Sequence, residues 1–203
     1  MTTALLALLL ASGCIEDVGK GKVEAVVEEA APEPAPKAVG AQTLKVDAAR
    51  STLKALGAKV TATHPIEFKS YSGTIVVDTG EVKAINFTTK TAELETDHPK
   101  LAEHLLNEDF LFVSAHPEAT FRSVSIAAGA EGEGMTHTVQ GNLSIRGQTK
   151  KVTFPAKIEV KDGEVHANTE FVINRQDFGI SYPGRADNLV QDNVVLTVAF
   201  IAG

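Results

Sequence analysis

Residues 138–160 read TVQGNLSIRGQTKKVTFPAKIEV, and this stretch decides the fold. Apolar residues recur at every second position on both sides of Arg146-Gly147-Gln148, in the arm 139–145 and again in the arm 152–160. Such alternation is typical of a β-strand with one apolar and one wet face. A glycine-bearing break between two such arms predicts a hairpin turn.

The same stretch carries a family resemblance. Residues 141–150, GNLSIRGQTK, resemble the G-(D/N)-L-T-I-R-G-V-T-K signature of the YceI family of lipocalin-like, polyisoprenoid-binding proteins. Three further stretches resemble that family in the same order: 101–117 with its His104-Leu105 and Asp109-Phe110, 175–180 (RQDFGI), and the final strand at 192–200. The resemblance covers residues 44–202. It implies an antiparallel, lipocalin-like barrel that binds an isoprenoid or a similar lipid.

The chain around this hairpin predicts an all-β fold. Further strands are predicted at 44–47, 52–63, 71–78, 82–91, 118–127, 164–174 and 193–201, with tight turns at Thr79-Gly80-Glu81 and Asp162-Gly163. One helix is predicted to begin at an Asp97 N-cap and to end near Asn107. Strands in hairpin order favour an antiparallel up-and-down barrel or a sandwich. The resemblance favours the lipocalin-like barrel, of about eight strands, with the short helix at one end.

The N-terminus predicts an export signal and a lipid anchor. Residues 4–11 are an apolar run that is too short to span a bilayer as a helix but suits the core of a signal peptide. Ala11-Ser12-Gly13-Cys14 resembles a bacterial lipobox, whose cysteine is acylated. We therefore expect residues 1–13 to be a signal peptide and Cys14 to anchor a periplasmic lipoprotein to a membrane. The alternative is an ordinary cleaved signal with an incidental cysteine.

Residues 14–42 are predicted to be an acidic linker rich in Pro, Ala and Glu, which precedes a barrel domain at 43–203. Their composition offers little apolar surface to bury. We expect this linker to act as a tether, and we expect the deletion of residues 28–37 to leave the stability of the domain unchanged.

Composition and motifs argue against several other functions. The net charge of −7 is unsuited to general nucleic-acid binding, which needs a basic face. The single cysteine allows neither an intramolecular disulfide nor a Cys-rich metal cluster. His98 and His104 are six residues apart, which does not place them on one helical face, and the sequence has no G-x-S-x-G nucleophile motif. We expect a binding protein rather than an enzyme, without a metal or another cofactor.

The candidate ligand-binding residues all lie on the apolar faces of predicted strands. They are Ile85, Phe87, Leu143, Ile145, Phe154, Ile158, Phe171 and Ile173. Periodicity alone is equally compatible with a packed core and with a ligand channel. The resemblance favours a channel for a polyisoprenoid, an isoprenoid quinone or a fatty-acid derivative.

Two roles are possible for Arg175. In the first, it contacts the polar head group of a ligand. In the second, which is favoured, it pairs with Asp177 or Asp109 and fixes a strand end. For the whole protein, the alternative to lipid binding is an envelope structural or stress-related lipoprotein with a packed core. A lipid hydrolase is a weaker third interpretation. Whether the barrel forms a homodimer is left open.

Overall fold

Alternating apolar residues form the strands of a curled antiparallel β-sheet in a computed structural model that describes residues 15–32 and 41–203. The strands of the N-terminal half are β1 (Val26–Glu29), β2 (Gln42–Lys45), β3 (Thr52–Lys59), β4 (Ala62–Phe68), β5 (Tyr71–Asp78), β6 (Glu81–Lys90) and β7 (Leu94–Thr96). Helix α1 (Pro99–Leu106) follows. The remaining strands are β8 (Glu118–Ala128), β9 (His137–Ile145), β10 (Gln148–Lys161), β11 (Glu164–Asn174), β12 (Gly184–Arg185), β13 (Asn188–Leu189) and β14 (Asn193–Ala202), and a 3₁₀ turn (Arg175–Phe178) follows β11.

The sheet has the up-and-down order that the sequence predicts. Its path is β2-β5-β6-β8-β9-β10-β11-β14-β3-β4-β7, and the run from β8 to β11 follows the order of the chain. The last long strand, β14, pairs antiparallel with β3 and so returns the chain to its beginning. Val46 forms a bridge with Ala202, which connects the β2 edge to the end of β14. The antiparallel, barrel-like all-β fold with one short helix is confirmed.

The hairpin predicted at residues 138–160 is formed by β9 and β10, with Ile145 opposite Gln148. Its two turn residues, Arg146 and Gly147, have φ angles of 51° and 72°. Two successive positive φ angles define the type I′ turn, whose twist matches that of antiparallel strands. The β10–β11 turn at Asp162-Gly163 has the same form, with φ angles of 53° and 83°.

The predicted strand at 52–63 is wrong in its extent, because the chain there forms a hairpin of β3 and β4. His64 and Pro65, which follow the predicted end of that strand, lie inside β4. The pairing of β4 with β7 covers residues 66–68, so Pro65 lies just outside that ladder. Proline is tolerated there because no neighbouring strand needs its missing N–H group.

The predicted N-cap of α1 is also corrected. The cap is His98, whose ring Nδ1 accepts the backbone N–H of Lys100 at 3.2 Å. The carboxylate of Asp97 instead contacts the Nδ1 atom of His64 at 3.0 Å. This side-chain contact connects the start of the helix to β4.

The prediction of a free linker at 14–42 is wrong for residues 15–32. Strand β1 pairs with β10 in the register Val26↔Thr153 to Glu29↔Lys150. Ala25 and Val27 pack against the main hydrophobic cluster of the barrel. The Pro-rich residues 33–40 and the residues 1–14, which include the predicted signal and Cys14, lie outside the described residues.

Candidate ligand cavity

An apolar cavity of about 250 Å³ lies inside the curled sheet. This volume is several times the ~30 Å³ that one molecule occupies in liquid water. Almost all of its wall consists of apolar atoms. A site of this kind suits a hydrocarbon chain, because transfer of apolar surface out of water is favourable and needs no directional partner.

All of the ligand-binding residues that the sequence predicts line this cavity. They come in pairs from four strands: Ile85 and Phe87 from β6, Leu143 and Ile145 from β9, Phe154 and Ile158 from β10, and Phe171 and Ile173 from β11. The two residues of each pair are two or four positions apart in the sequence. The period-two pattern therefore identified the inward face of all four strands.

Three aromatic rings form a continuous patch of the wall. Phe154 and Phe171 stack with their ring centroids 4.1 Å apart and their planes 5° apart. Phe121 from β8 lies 5.7 Å from Phe154. Gly141 in β9 makes room for this third ring, because a Cβ atom at that position would lie 2.3 Å from Phe121 Cζ. The glycine that interrupts the apolar alternation of β9 thus serves the cavity wall.

Several lining residues were missed by the sequence analysis. They come from β3, β4, β8, β14 and the segment around α1, and include Leu53, Ala55, Ile66, Phe68, Phe121, Val194, Leu196, Val198, Phe200, Leu105, Phe110 and Leu111. The inward positions 194, 196, 198 and 200 do alternate. However, β14 reads NVVLTVAFIA, and so continuous an apolar run does not reveal which face is inward.

Three hydroxyl groups along the wall already have partners. The side chains of Thr89 and Thr91 donate to the backbone carbonyls of Ser70 (2.9 Å) and His116 (3.1 Å). Thr169 donates to the carbonyl of Pro155 at 2.6 Å. These bonds satisfy the three hydroxyl groups, so a hydrocarbon ligand does not leave them unpaired.

Arg175 borders the cavity as a structural residue. It is 5% exposed, and its guanidinium donates to the carbonyls of Ile180 (2.6 Å) and Gln191 (3.0 Å) and to the carboxylate of Asp192 (2.9 Å). Burial lowers the pKa of this guanidinium, and the nearby carboxylate of Asp192 opposes the shift. The partner predicted from sequence, Asp177 or Asp109, is thus replaced by Asp192. Arg175 holds together the loop between β13 and β14 and the turn after β11.

Helix α1 and the loop after it cover one end of the cavity, as the sequence predicts. Leu105, Phe110 and Ile180 form a buried cluster there, and Ile145 packs against it. Arg146, in the β9–β10 turn, connects the loop after the helix to the barrel. Its guanidinium donates to the carbonyl of Glu108 after the helix (2.7 Å) and to that of Gly179 (2.6 Å).

Packed side chains occupy the far end of the barrel. Ile75 and Val165 are fully buried there, and Leu44, Val77 and Val82 belong to the same cluster. The cavity therefore lies between a packed end and an end covered by a helix.

Two further features of residues 15–32 and 41–203 concern metals and membranes. In this part of the chain, no three His, Cys, Asp or Glu side chains lie close enough together to hold a metal ion. Within the same residues, no helix is long and apolar enough to cross a bilayer.

Sequence comparison finds a family match over most of the chain. The family described as the YceI-like domain matches residues 44–202. A UPF0312 protein of Pseudomonas putida strain W619 is 39% identical over 125 residues, which cover 58% of this chain and 64% of that relative. A UPF0312 protein of Pseudomonas fluorescens strain SBW25 is 36% identical over 137 residues, which cover 64% of this chain and 70% of the relative. The chain thus spans less than two thirds of the first of these relatives.

Two solved structures share the fold. BcnA of Burkholderia cenocepacia has a TM-score of 0.67 at 22% identity, and the match covers 78% of this chain and 99% of BcnA. A polyisoprenoid-binding domain from Saccharophagus degradans, implicated in plant cell wall breakdown, has a TM-score of 0.63 at 12% identity. That match covers 78% of this chain and 97% of the domain. At such identities the likeness concerns the fold.

Proposed function

This chain belongs to the YceI-like domain family, and from that premise we propose that it holds a long apolar ligand in its cavity for storage or transport. The ligand is a polyisoprenoid, an isoprenoid quinone or a fatty-acid derivative. The name of one structural relative, a polyisoprenoid-binding domain, supports this chemical class.

The cavity itself is the observation that carries the proposal. Burial of a methylene group contributes about 0.8 kcal/mol, so ten buried methylenes contribute about 8 kcal/mol before the costs of association. Association itself costs about 4–15 kcal/mol, so net retention by the hydrophobic effect requires more than ten buried methylenes. A long chain such as a polyisoprenoid meets this requirement without a charged anchor in the wall.

A variant in which a larger side chain fills the cavity tests whether the ligand binds there. All-trans-retinol is an isoprenoid alcohol whose fluorescence rises in an apolar environment, and we expect the delipidated protein to bind it with a stoichiometry near one. Ala167 lines the cavity. The Ala167→Phe variant should lose retinol binding because the added ring occupies ligand space.

The matched control is Ala127→Phe, which places the same ring on an exposed position of β8. This variant should bind retinol like the unmodified protein. Equal retinol binding by all three proteins would show that the probe sits outside the cavity and would contradict the proposal.

The location that we propose is the periplasm, with the protein anchored to a membrane through an acylated Cys14. The support is the apolar run that ends in Ala11-Ser12-Gly13-Cys14. Stable anchoring by lipid chains requires more than one of them, and a lipoprotein cysteine with several acyl chains meets that requirement.

The alternative function is that of an envelope structural protein with a packed core. Protein cores are close-packed, and their few voids are seldom larger than a water molecule. An internal space of about 250 Å³ is many times larger than such a void. The observed cavity therefore favours ligand binding over the structural alternative.

A further inference from the structure

The wall of the barrel has a split between β10 and β11. Their backbone pairing covers the register from Lys157↔Asn168 to Lys161↔Glu164. The rest of β10, residues 148–156, continues to pair with β9 on its other edge. Pro155 lies where the β10–β11 ladder ends, and the side chain of Thr169 bonds to its carbonyl. Proline has no N–H to donate, which explains why the ladder stops there.

The N-terminal segment fills this split. On one side, the N–H of Ala25 donates to the carbonyl of Val172 in β11 and the N–H of Val172 donates to the carbonyl of Val23, both at 2.8 Å. On the other side, β1 pairs with residues 150–153 of β10. Residues 23–29 therefore form a strand of the wall, inserted between two strands that diverge.

The segment also covers the outer face of the wall. Val172 points away from the neighbouring Phe171, yet it is only 1% exposed. Its side chain lies under the chain at Gly19, where an added Cβ atom would come within 3.0 Å of Val172 Cγ1. Further along, the side chain of Asn142 exchanges two hydrogen bonds with the backbone of Ala31, at 2.9 and 2.7 Å.

The contacts that hold the inserted strand are of a kind that opens easily. Its inward side chains are small, Ala25 and Val27, while Val26 on its outer side is 58% exposed. Its ion pairs, Glu28–Lys151 and Glu29–Lys150, are partly exposed to solvent. Ion pairs in water contribute little to stability and weaken with salt. Small inward side chains and solvent-exposed ion pairs are typical of a locally unstable element.

The split lies directly beside the cavity. Phe154 neighbours the β1 partner Thr153, and Phe171 neighbours Val172, and both rings line the cavity. Packed side chains occupy one end of the barrel, and α1 with the loop after it covers the other. We propose that residues 23–29 are a removable wall strand, and that its release opens a lateral portal between β10 and β11 for the apolar ligand. The ligand part of this inference rests on the proposed function.

Amide hydrogen exchange tests the removable strand without any ligand. The amides of Ala25 and Val172 bond across the insertion, whereas that of Val139 lies in β9, which pairs with β8 and β10. We expect the amides of Ala25 and Val172 to exchange at least tenfold faster than that of Val139. Equal exchange rates would show that the segment opens only when the whole barrel unfolds, and would overturn the proposal.

A reversible disulfide that locks β1 to β10 tests the portal. Val26 and Thr153 are directly opposed. In a Cys14→Ser background, the Val26→Cys/Thr153→Cys variant would join β1 to β10 by a disulfide. We expect the oxidised variant to release bound all-trans-retinol at least tenfold more slowly than its reduced form.

The control lock is Lys54→Cys/Glu67→Cys, across β3 and β4, where the two residues are also directly opposed. Its oxidation should not change retinol release. If retinol binds but both locks release it at the unmodified rate, the portal lies elsewhere and the inference is wrong. A protein that binds no retinol in any form, while its Ala25 amide still exchanges rapidly, would contradict the proposed function and leave the removable strand standing.

Discussion

At the scale of single residues, the cavity depends on where side chains are absent as much as on where they are present. Gly141 interrupts the apolar alternation of β9 and leaves space for the ring of Phe121, which lines the cavity. A missing side chain in a strand often marks a close approach of another group. Here the approaching group is part of the candidate ligand site.

The Gly141→Ala variant should therefore affect both stability and binding. The added Cβ atom would lie 2.3 Å from the ring of Phe121 and 2.7 Å from the carbonyl of Arg122, so the ring or the strand must shift. We expect a loss of about 1–3 kcal/mol in the free energy of unfolding, and weaker retinol binding because Phe121 moves into the cavity. Denaturant unfolding and fluorescence titration measure the two effects.

Gly57→Ala is the matched control, since Gly57 also lies in a strand that lines the cavity but has open space around it. This variant should keep or slightly raise the stability, because alanine restricts the unfolded chain more than glycine does. If both glycine variants behave alike, the close approach of Phe121 has no energetic consequence.

The stacked pair of Phe154 and Phe171 distinguishes a channel from a packed core. A phenylalanine removed from a packed core costs about 3–5 kcal/mol. Both rings border space that is already open, so we expect a smaller loss in delipidated Phe154→Ala or Phe171→Ala, together with a clear loss of bound lipid. Thermal unfolding and quantification of extracted lipid provide the measurements.

Ile75→Ala is the comparison for these variants, because Ile75 is fully buried and lies in the packed end of the barrel. It should lose about 2–5 kcal/mol of stability and keep its lipid. If both phenylalanine variants lost the full amount of stability expected for a packed core, about 3–5 kcal/mol, with unchanged lipid content, the result would contradict a channel at these positions.

At the scale of elements, the sequence predicted best where one local pattern determines the structure. The hairpins at Arg146-Gly147 and Asp162-Gly163 combine alternating strands with glycine at a positive φ angle, and both formed as predicted. The inward faces of β6, β9, β10 and β11 followed from the same alternation. In these elements, the local sequence and the tertiary environment favour the same conformation.

The elements that sequence reasoning missed depend on long-range contacts. Strand β1 has only a short alternation, Val23, Ala25 and Val27, within acidic surroundings, and it forms because the split beside Pro155 offers unpaired strand edges. One signal was available in β11. Phe171-Val172-Ile173 is a continuous apolar run, which is typical of a strand covered on both faces.

Removal of residues 23–29 tests the contribution of the inserted strand. The deletion uncovers Val172 and removes the burial of Ala25 and Val27. We expect a loss of about 3 kcal/mol, which lowers the Tm by roughly 6–12 °C for a chain of this size. The expectation from sequence alone concerns a different deletion, of residues 28–37, which shares only Glu28 and Glu29 with β1, and it stays a prediction.

The control for this deletion is the double variant Glu28→Gln/Glu29→Gln, which removes the ion pairs with Lys151 and Lys150 and keeps the strand. It should lose less than about 1 kcal/mol per pair, since the glutamates are exposed. A deletion with an unchanged Tm would mean that the segment does not pack on the barrel in solution.

At the scale of the whole molecule, the inserted strand and the proposed anchor belong to the same N-terminal region. Residues 15–32 run from the β3–β4 turn, where Ile15 bonds to Val60, through the inserted strand beside β11 to Asn142 of β9. A lipid at Cys14 would bring this face of the barrel, with its proposed portal, close to the membrane from which an apolar ligand is drawn. The anchor and the portal would then serve the same transfer.

The Cys14→Ser variant tests the anchor. Without the thiol no acyl chain is attached, so we expect this variant to move from the detergent phase to the aqueous phase, or to accumulate with its signal uncleaved. Phase partitioning and the mass of the mature N-terminus measure the change. Full retention of Cys14→Ser in the detergent phase would count against a lipid anchor.

The central claim is that one long apolar molecule occupies the cavity between Phe87, Phe154 and Phe171. The native mass spectrum of protein purified without detergent tests this claim most directly, by comparison with its mass under denaturing conditions. We predict an additional mass of one lipid molecule per chain, which disappears on denaturation and is absent from Ala167→Phe. A native mass equal to that of the denatured chain, in folded protein purified from its natural host, would contradict the claim.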